Sequence, residues 1–151
     1  MKTPIIGATL MLVASAQAAD PLVHEQDAYG NTRYDRPSYS VRDDGRLMET
    51  DPHGQKQHHK DQFQWKGDRL YVMDPVSGIR YDKPHYRLEK NGRLIETDPY
   101  GVRNHDRQWQ LKDGKLYAVD PSGAIRHDKP RFAAQPGVRI RQEKSRLVVK
   151  P

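Results

Sequence analysis

The sequence predicts an all-β fold: an antiparallel meander of about five β-hairpin repeats of roughly 23 residues, the first one partial, in an open or curled sheet. Three observations carry this expectation. A turn that starts with Asp and closes with Gly recurs at Asp27, Asp51, Asp74, Asp98 and Asp120, 22 to 24 residues apart. An aromatic residue recurs in one column at Tyr39, Phe63, Tyr86, Trp109 and Phe132, 23 or 24 residues apart. Between these markers apolar residues fall at i and i+2, the period of a strand with one buried face.

At the N-terminus, Lys2 precedes an apolar run from Ile5 to Ala14, and Ala16 and Ala18 occupy the small-residue positions of a secretory cleavage site. Residues 1–18 therefore read as a signal peptide, with a mature chain starting at Ala19 in the periplasm or outside the cell. No later apolar run is long enough to anchor that chain in a membrane. The remaining length suits one small domain with a modest core. The chain has no cysteine, so stability must come from repetition of one well-packed unit or from a bound ligand or metal.

Residues 19–132 carry the hairpins. Tyr39 and Val41, Phe63 and Trp65, Tyr86 and Leu88, and Trp109 and Leu111 each share one face of a strand. The stretches RDDGRL, WKGDRL, EKNGRL and KDGKL follow, setting Gly45, Gly67, Gly92 and Gly114 beside Asp, Asn or Lys for a tight reversal. Short apolar strands come next (LMET, LYVMD, LIETD, LYAVD), and each runs into an Asp turn. There Pro presets φ, the Asp side chain accepts a bond from a backbone N–H, and Gly closes the turn. Pro37, Pro84 and Pro130 recur in every second unit and are expected at bends or on unpaired backbone. Residues 133–151 leave the repeat as a basic tail in which Val138 and Ile140, then Leu147 and Val149, alternate as in a final hairpin or an edge strand.

Gly-Arg-Leu at residues 45–47 and 92–94, combined with Asp-Pro-x-Gly turns at a fixed period, resembles the YD-repeat (Rhs-type) units of large bacterial secreted proteins over residues 27–132. The resemblance implies hairpins assembled into long β-sheets. Here the Tyr34–Asp35 and Tyr81–Asp82 pairs follow the Asp turn instead of preceding Gly-Arg-Leu. Large members of the family enclose a toxin in a shell, and five units are expected to be too few to enclose anything.

The candidate ligand-binding residues follow the Asp turns. Tyr34, His58, Tyr81, His105 and His127 form one column, and Arg36, Lys60, Lys83, Arg107 and Lys129 form a basic column two residues later. Stacked in register, they would line a sheet face suited to an anionic ligand. The competing reading is a solvated face on which Asp35, Asp82, Asp106 and Asp128 neutralise their basic neighbours. His58, His59, His105 and His127 offer nitrogen ligands for zinc or copper, at a spacing that matches no short metal motif. No other cofactor is expected, since the turn aspartates lack the dense oxygen spacing of a calcium loop. His-Asp neighbours point to opposite strand faces and no Ser stands in a nucleophile elbow, so the chain reads as a non-enzyme. The aromatic column is expected to fill a packed core instead of forming a sugar platform.

A net charge of +6 suits anionic polymers or lipid headgroups, and export argues against nucleic acid. The expectation is a small exported β-repeat binding module of the bacterial envelope, with an envelope protein or an anionic glycan as partner. A periplasmic zinc- or copper-binding protein and a structural envelope component without a discrete ligand are the two other readings.

Overall fold

The computed structural model describes residues 19–51 and 53–151. The segment read as a signal peptide lies outside the described residues. The chain runs through β1 (Leu22–Gln26), β2 (Ser38–Val41), β3 (Arg46–Thr50), β4 (Gln62–Lys66), β5 (Arg69–Asp74), β6 (Gly78–Ile79) and β7 (His85–Leu88). It continues through β8 (Arg93–Thr97), β9 (Arg103–Lys112), β10 (Lys115–Val119), β11 (Arg131–Ala134), β12 (Arg139–Glu143) and β13 (Arg146–Lys150). Among the described residues no helix is long and apolar enough to cross a membrane.

The strands pair antiparallel in the meander order, but the sheet is neither open nor curled. Ten strands close into a barrel, because β1 pairs with β11 from Val23↔Ala134 to Gln26↔Arg131. Closure satisfies the backbone groups that the first and last strands of a meander would otherwise expose. The two-residue β6 is appended to the far end of β5.

Two kinds of turn sit at the two ends of the barrel. At one end, Arg42 to Gly45 and Glu89 to Gly92 form turns in which the Gly N–H donates to the first residue's carbonyl, at 3.1 and 3.0 Å. Asp113 and Gly114, both at positive φ (53° and 77°), make the two-residue reversal that links β9 to β10. At the other end lie the Asp turns. The Oδ1 atoms of Asp27, Asp51, Asp98 and Asp120 each accept from the N–H groups two and four residues on, at 2.8–3.0 Å. These bonds satisfy the turn's amides, the role the Asp-Pro-x-Gly pattern implies. Arg93 Nη2 donates to the Gly123 carbonyl at 3.4 Å, tying the turn after β10 to a strand two places away.

The C-terminal residues form a hairpin, β12–β13, paired only with itself. It lies across the first end of the barrel. Ile140 N–H donates to the Gly114 carbonyl (3.1 Å), Gln142 Nε2 to that of Glu89 (3.1 Å) and Arg146 Nη2 to that of Asp43 (2.7 Å), so it touches three separate turns. Ile140 is buried among Val23, Val41, Trp65, Leu70, Leu88, Leu94 and Leu116, with Leu147 and Val149 packed against the same cluster. The hairpin is thus a plug that supplies apolar residues to the core from its end.

Candidate functional site

Register decides which residues face the lumen. Directly opposed residues on paired strands point to the same side, and following the pairs around the ring gives one inward set. Its layer next to the plug is aliphatic apart from Trp65. The next layer carries the aromatic column; each ring is opposed by Val23 or a leucine on one neighbouring strand, and on the other the pairs are Tyr39↔Glu49, Phe63↔Val72, Tyr86↔Glu96, Trp109↔Ala118 and Phe132↔Glu25. The five aromatics point inward as the sequence implies, yet they are half-buried and not close-packed. They surround a cavity of about 250 Å³, whose floor is Ile140, Leu147 and Val149 of the plug. The ten-stranded ring therefore does enclose a space, contrary to the expectation that this chain is too short to do so.

The aromatics meet edge to face: Tyr39–Phe63 at 6.1 Å, Tyr39–Phe132 at 6.5 Å and Tyr86–Trp109 at 5.7 Å between ring centroids. Burial, reinforced by Glu49 and then by Tyr86, raises the Tyr39 hydroxyl above the usual phenol range.

Three glutamates share this inward register, and their partners differ. The Glu25 carboxylate, largely shielded from solvent, meets Arg33 Nη1 at 3.4 Å and Arg36 Nε at 3.3 Å. Glu96 pairs with Arg107, whose guanidinium also lies over the Trp109 ring at 5.5 Å. The Tyr86 hydroxyl, and then the charge of the Glu96 carboxylate, hold the Arg107 proton more tightly than an ordinary guanidinium does. Glu49 has no ion-pair partner among the described residues.

The residues singled out from the sequence fall into two groups. Tyr34, His58, His59, Tyr81 and His127 occupy exposed turns, and His105 is an exposed residue of β9. They do not form a row on a sheet face, because four of the five column positions bulge out of the ladder between the Asp turn and the next strand. Tyr81 packs against Tyr71 at 5.2 Å and accepts a bond from Lys66 Nζ at 2.9 Å, while His127 meets the Tyr117 ring edge to face at 5.8 Å. Among the described residues no three His, Asp or Glu side chains converge as a metal ion requires, and His58, His59, His105 and His127 are not brought together. Three of the four column aspartates pair with the arginine two residues before them: Arg33–Asp35 and Arg80–Asp82 at 3.0 Å, Arg126–Asp128 at 3.8 Å. Of the basic column all five residues are exposed, but Arg36 and Arg107 reach the inward carboxylates, whereas Lys60, Lys83 and Lys129 form no ion pair among the described residues.

Sequence reasoning passed over the glutamates. Glu25, Glu49 and Glu96 each stand two residues before a turn Asp, on the same alternation as the buried leucines. A charged residue at an inward position of a strand signals that the interior holds more than a packed core.

No protein-family model matches this chain, and no curated protein matches it.

Proposed function

We propose that this protein is a small-molecule-binding module whose site is the barrel lumen, and that the repeated hairpins of the sequence, akin to YD-repeat units, are the device that closes the wall around it. The hollow itself carries this reading. Protein interiors pack as densely as organic crystals, and an unfilled apolar space forfeits dispersion contacts on its lining. A cavity ringed by Tyr39, Phe63, Tyr86, Trp109 and Phe132 is therefore the place where an apolar group gains most on binding. At about 250 Å³ it lies just below the roughly 300–1,000 Å³ of ordinary ligand sites. The ligand is small, with an apolar body among the rings and a polar end toward the charged mouth.

Export through residues 1–18 and action in the bacterial envelope belong to this reading, and an intact mass of native protein beginning at Ala19 tests them. A second reading, an envelope protein or anionic glycan on the outer surface, is favoured by the exposed Lys60, Lys83 and Lys129. Binding of that kind is screened by salt, whereas binding in an apolar lumen is not.

Trp65 and Trp109 both line the cavity and report its occupancy by fluorescence. We expect the neutral probe N-phenyl-1-naphthylamine to bind and alter their emission. Ala118→Phe, which fills the space opposite Trp109, should abolish binding while a cooperative thermal transition remains. Equal binding to this variant, or none to the wild type, rejects the lumen as the site.

A further inference from the structure

We infer that the lumen selects a cationic ligand, an organic ammonium whose charge is received by Glu49 beside the Tyr39 and Phe63 rings. The inference rests on the reading of the lumen as a binding site and adds the chemical class of its occupant.

The argument is one of charge balance within a single layer. Three carboxylates, Glu25, Glu49 and Glu96, occupy the inward register at the level of the aromatic rings. Two of them are matched from within the protein: Arg36 with Arg33 on Glu25, and Arg107 on Glu96. Glu49 is left over. Its counterpart in the basic column, eleven residues on as Arg36 is from Glu25 and Arg107 from Glu96, is Lys60. Lys60 is exposed and forms no ion pair with it.

The surroundings of Glu49 suit a cation. Tyr39 lies directly across from it on β2, and Phe63 meets Tyr39 edge to face at 6.1 Å. Both rings line the cavity, where their faces attract a positive charge that has shed part of its water. Glu49 is directly opposed to Tyr39 in the ladder and so shares its inward side of the wall. An anionic ligand would meet this carboxylate unopposed. Arg107 does not reverse the preference, because its charge is already shared between Glu96 and the Trp109 ring.

Three probes with one alkyl chain separate charge from apolar burial: hexyltrimethylammonium, hexanol and hexyl sulfate, titrated by calorimetry into wild type and Glu49→Gln. In the wild type the cation should bind at least about ten-fold more tightly than the alcohol, a difference within reach of one ring-flanked carboxylate, and the sulfate most weakly of the three. In Glu49→Gln the cation should fall to within about two-fold of the alcohol, whose own affinity is unchanged. That unchanged affinity also shows that the variant is folded. Equal binding of alcohol and cation to the wild type, or a preference that survives in Glu49→Gln, overturns the cation inference and leaves the lumen reading standing. Absence of binding by all three probes overturns both.

Discussion

The two ends of this barrel use the same turn residues and finish differently. At the plugged end the turns are short, and β12–β13 lies on them closely enough that a Cβ added to Gly114 would stand 2.8 Å from the Arg139 Cβ. At the mouth β1, β3, β5, β8 and β10 each run into an Asp turn, and after all but β8 an excursion follows that carries Tyr34, His58, Tyr81 or His127. These excursions leave exposed side chains and ion pairs where the other end has Ile140. Tight glycine turns admit a second layer, whereas bulged, charged turns exclude one, and a cavity survives between a sealed floor and a charged rim.

The largest effect that would break this contrast is a comparison of the two tryptophans. Trp65, beside the plug, is buried at 7 % exposure, while Trp109 is half-buried on the cavity wall. Trp65→Ala should cost about 3–5 kcal/mol, as for a packed aromatic. Trp109→Ala should cost clearly less, since part of its surface meets no protein atom to lose. Equal losses in denaturant unfolding would mean that Trp109 is packed and the cavity is not a feature of the folded state.

Glycine substitutions at the two ends come next. Gly114 at φ +77° and Gly101 at φ +91° carry a similar backbone penalty for a side chain, about 1–2 kcal/mol. Only Gly114 has a neighbour in the way; a Cβ on Gly101 meets nothing within 4 Å. Gly114→Ala should therefore lower the melting temperature more than Gly101→Ala. A reversed order would show that the hairpin does not rest on the turns.

The smallest effect is that of pH, and it should act at the mouth. Burial, then the neighbouring Arg69, holds His85 below its ordinary 6.5, and burial does the same to His24. Both are neutral in the fold, so the unfolded chain binds protons more readily. Stability is full above about pH 6.5 and declines as the pH falls through that value toward the depressed folded ones. Hydrogen bonds from the turn backbone hold Asp27 and Asp74 below the usual carboxylate range, and bonds from Ser122 and the turn backbone do so for Asp120. Their contribution is lost in a second step as the pH falls below about 4. Melting curves from pH 8 to pH 3 measure both steps, and His85→Asn should diminish the first. A melting temperature that stays flat between pH 8 and pH 5 would contradict the neutral, buried His85.

Much of the strand pattern was legible because it depends on local chemistry. The positions of Gly45, Gly92 and Gly114, the two-residue alternation and the side-chain bonds of the turn aspartates each involve neighbours within a few residues, and the observed strands follow them. The candidate site was legible only in part. The aromatic column was visible, and its inward direction followed from period, but a ring that fills a core and a ring that lines a cavity have the same spacing. The imidazole column is equally visible, and its spacing implies a row on a sheet face, whereas at His58 and His127 the backbone leaves the ladder.

By itself the sequence determined that the chain folds as strands, where they turn and which residues share a face, because alternation and turn stereochemistry act over two to five residues. Only the tertiary structure decided that the sheet closes, that the tail becomes its floor, and that Glu25 and Glu96 find arginines while Glu49 does not. Closure joins residues as distant as Val23 and Ala134, and it depends on the twist summed over ten strands. A sum of that kind belongs to the whole ring, and no local motif records it.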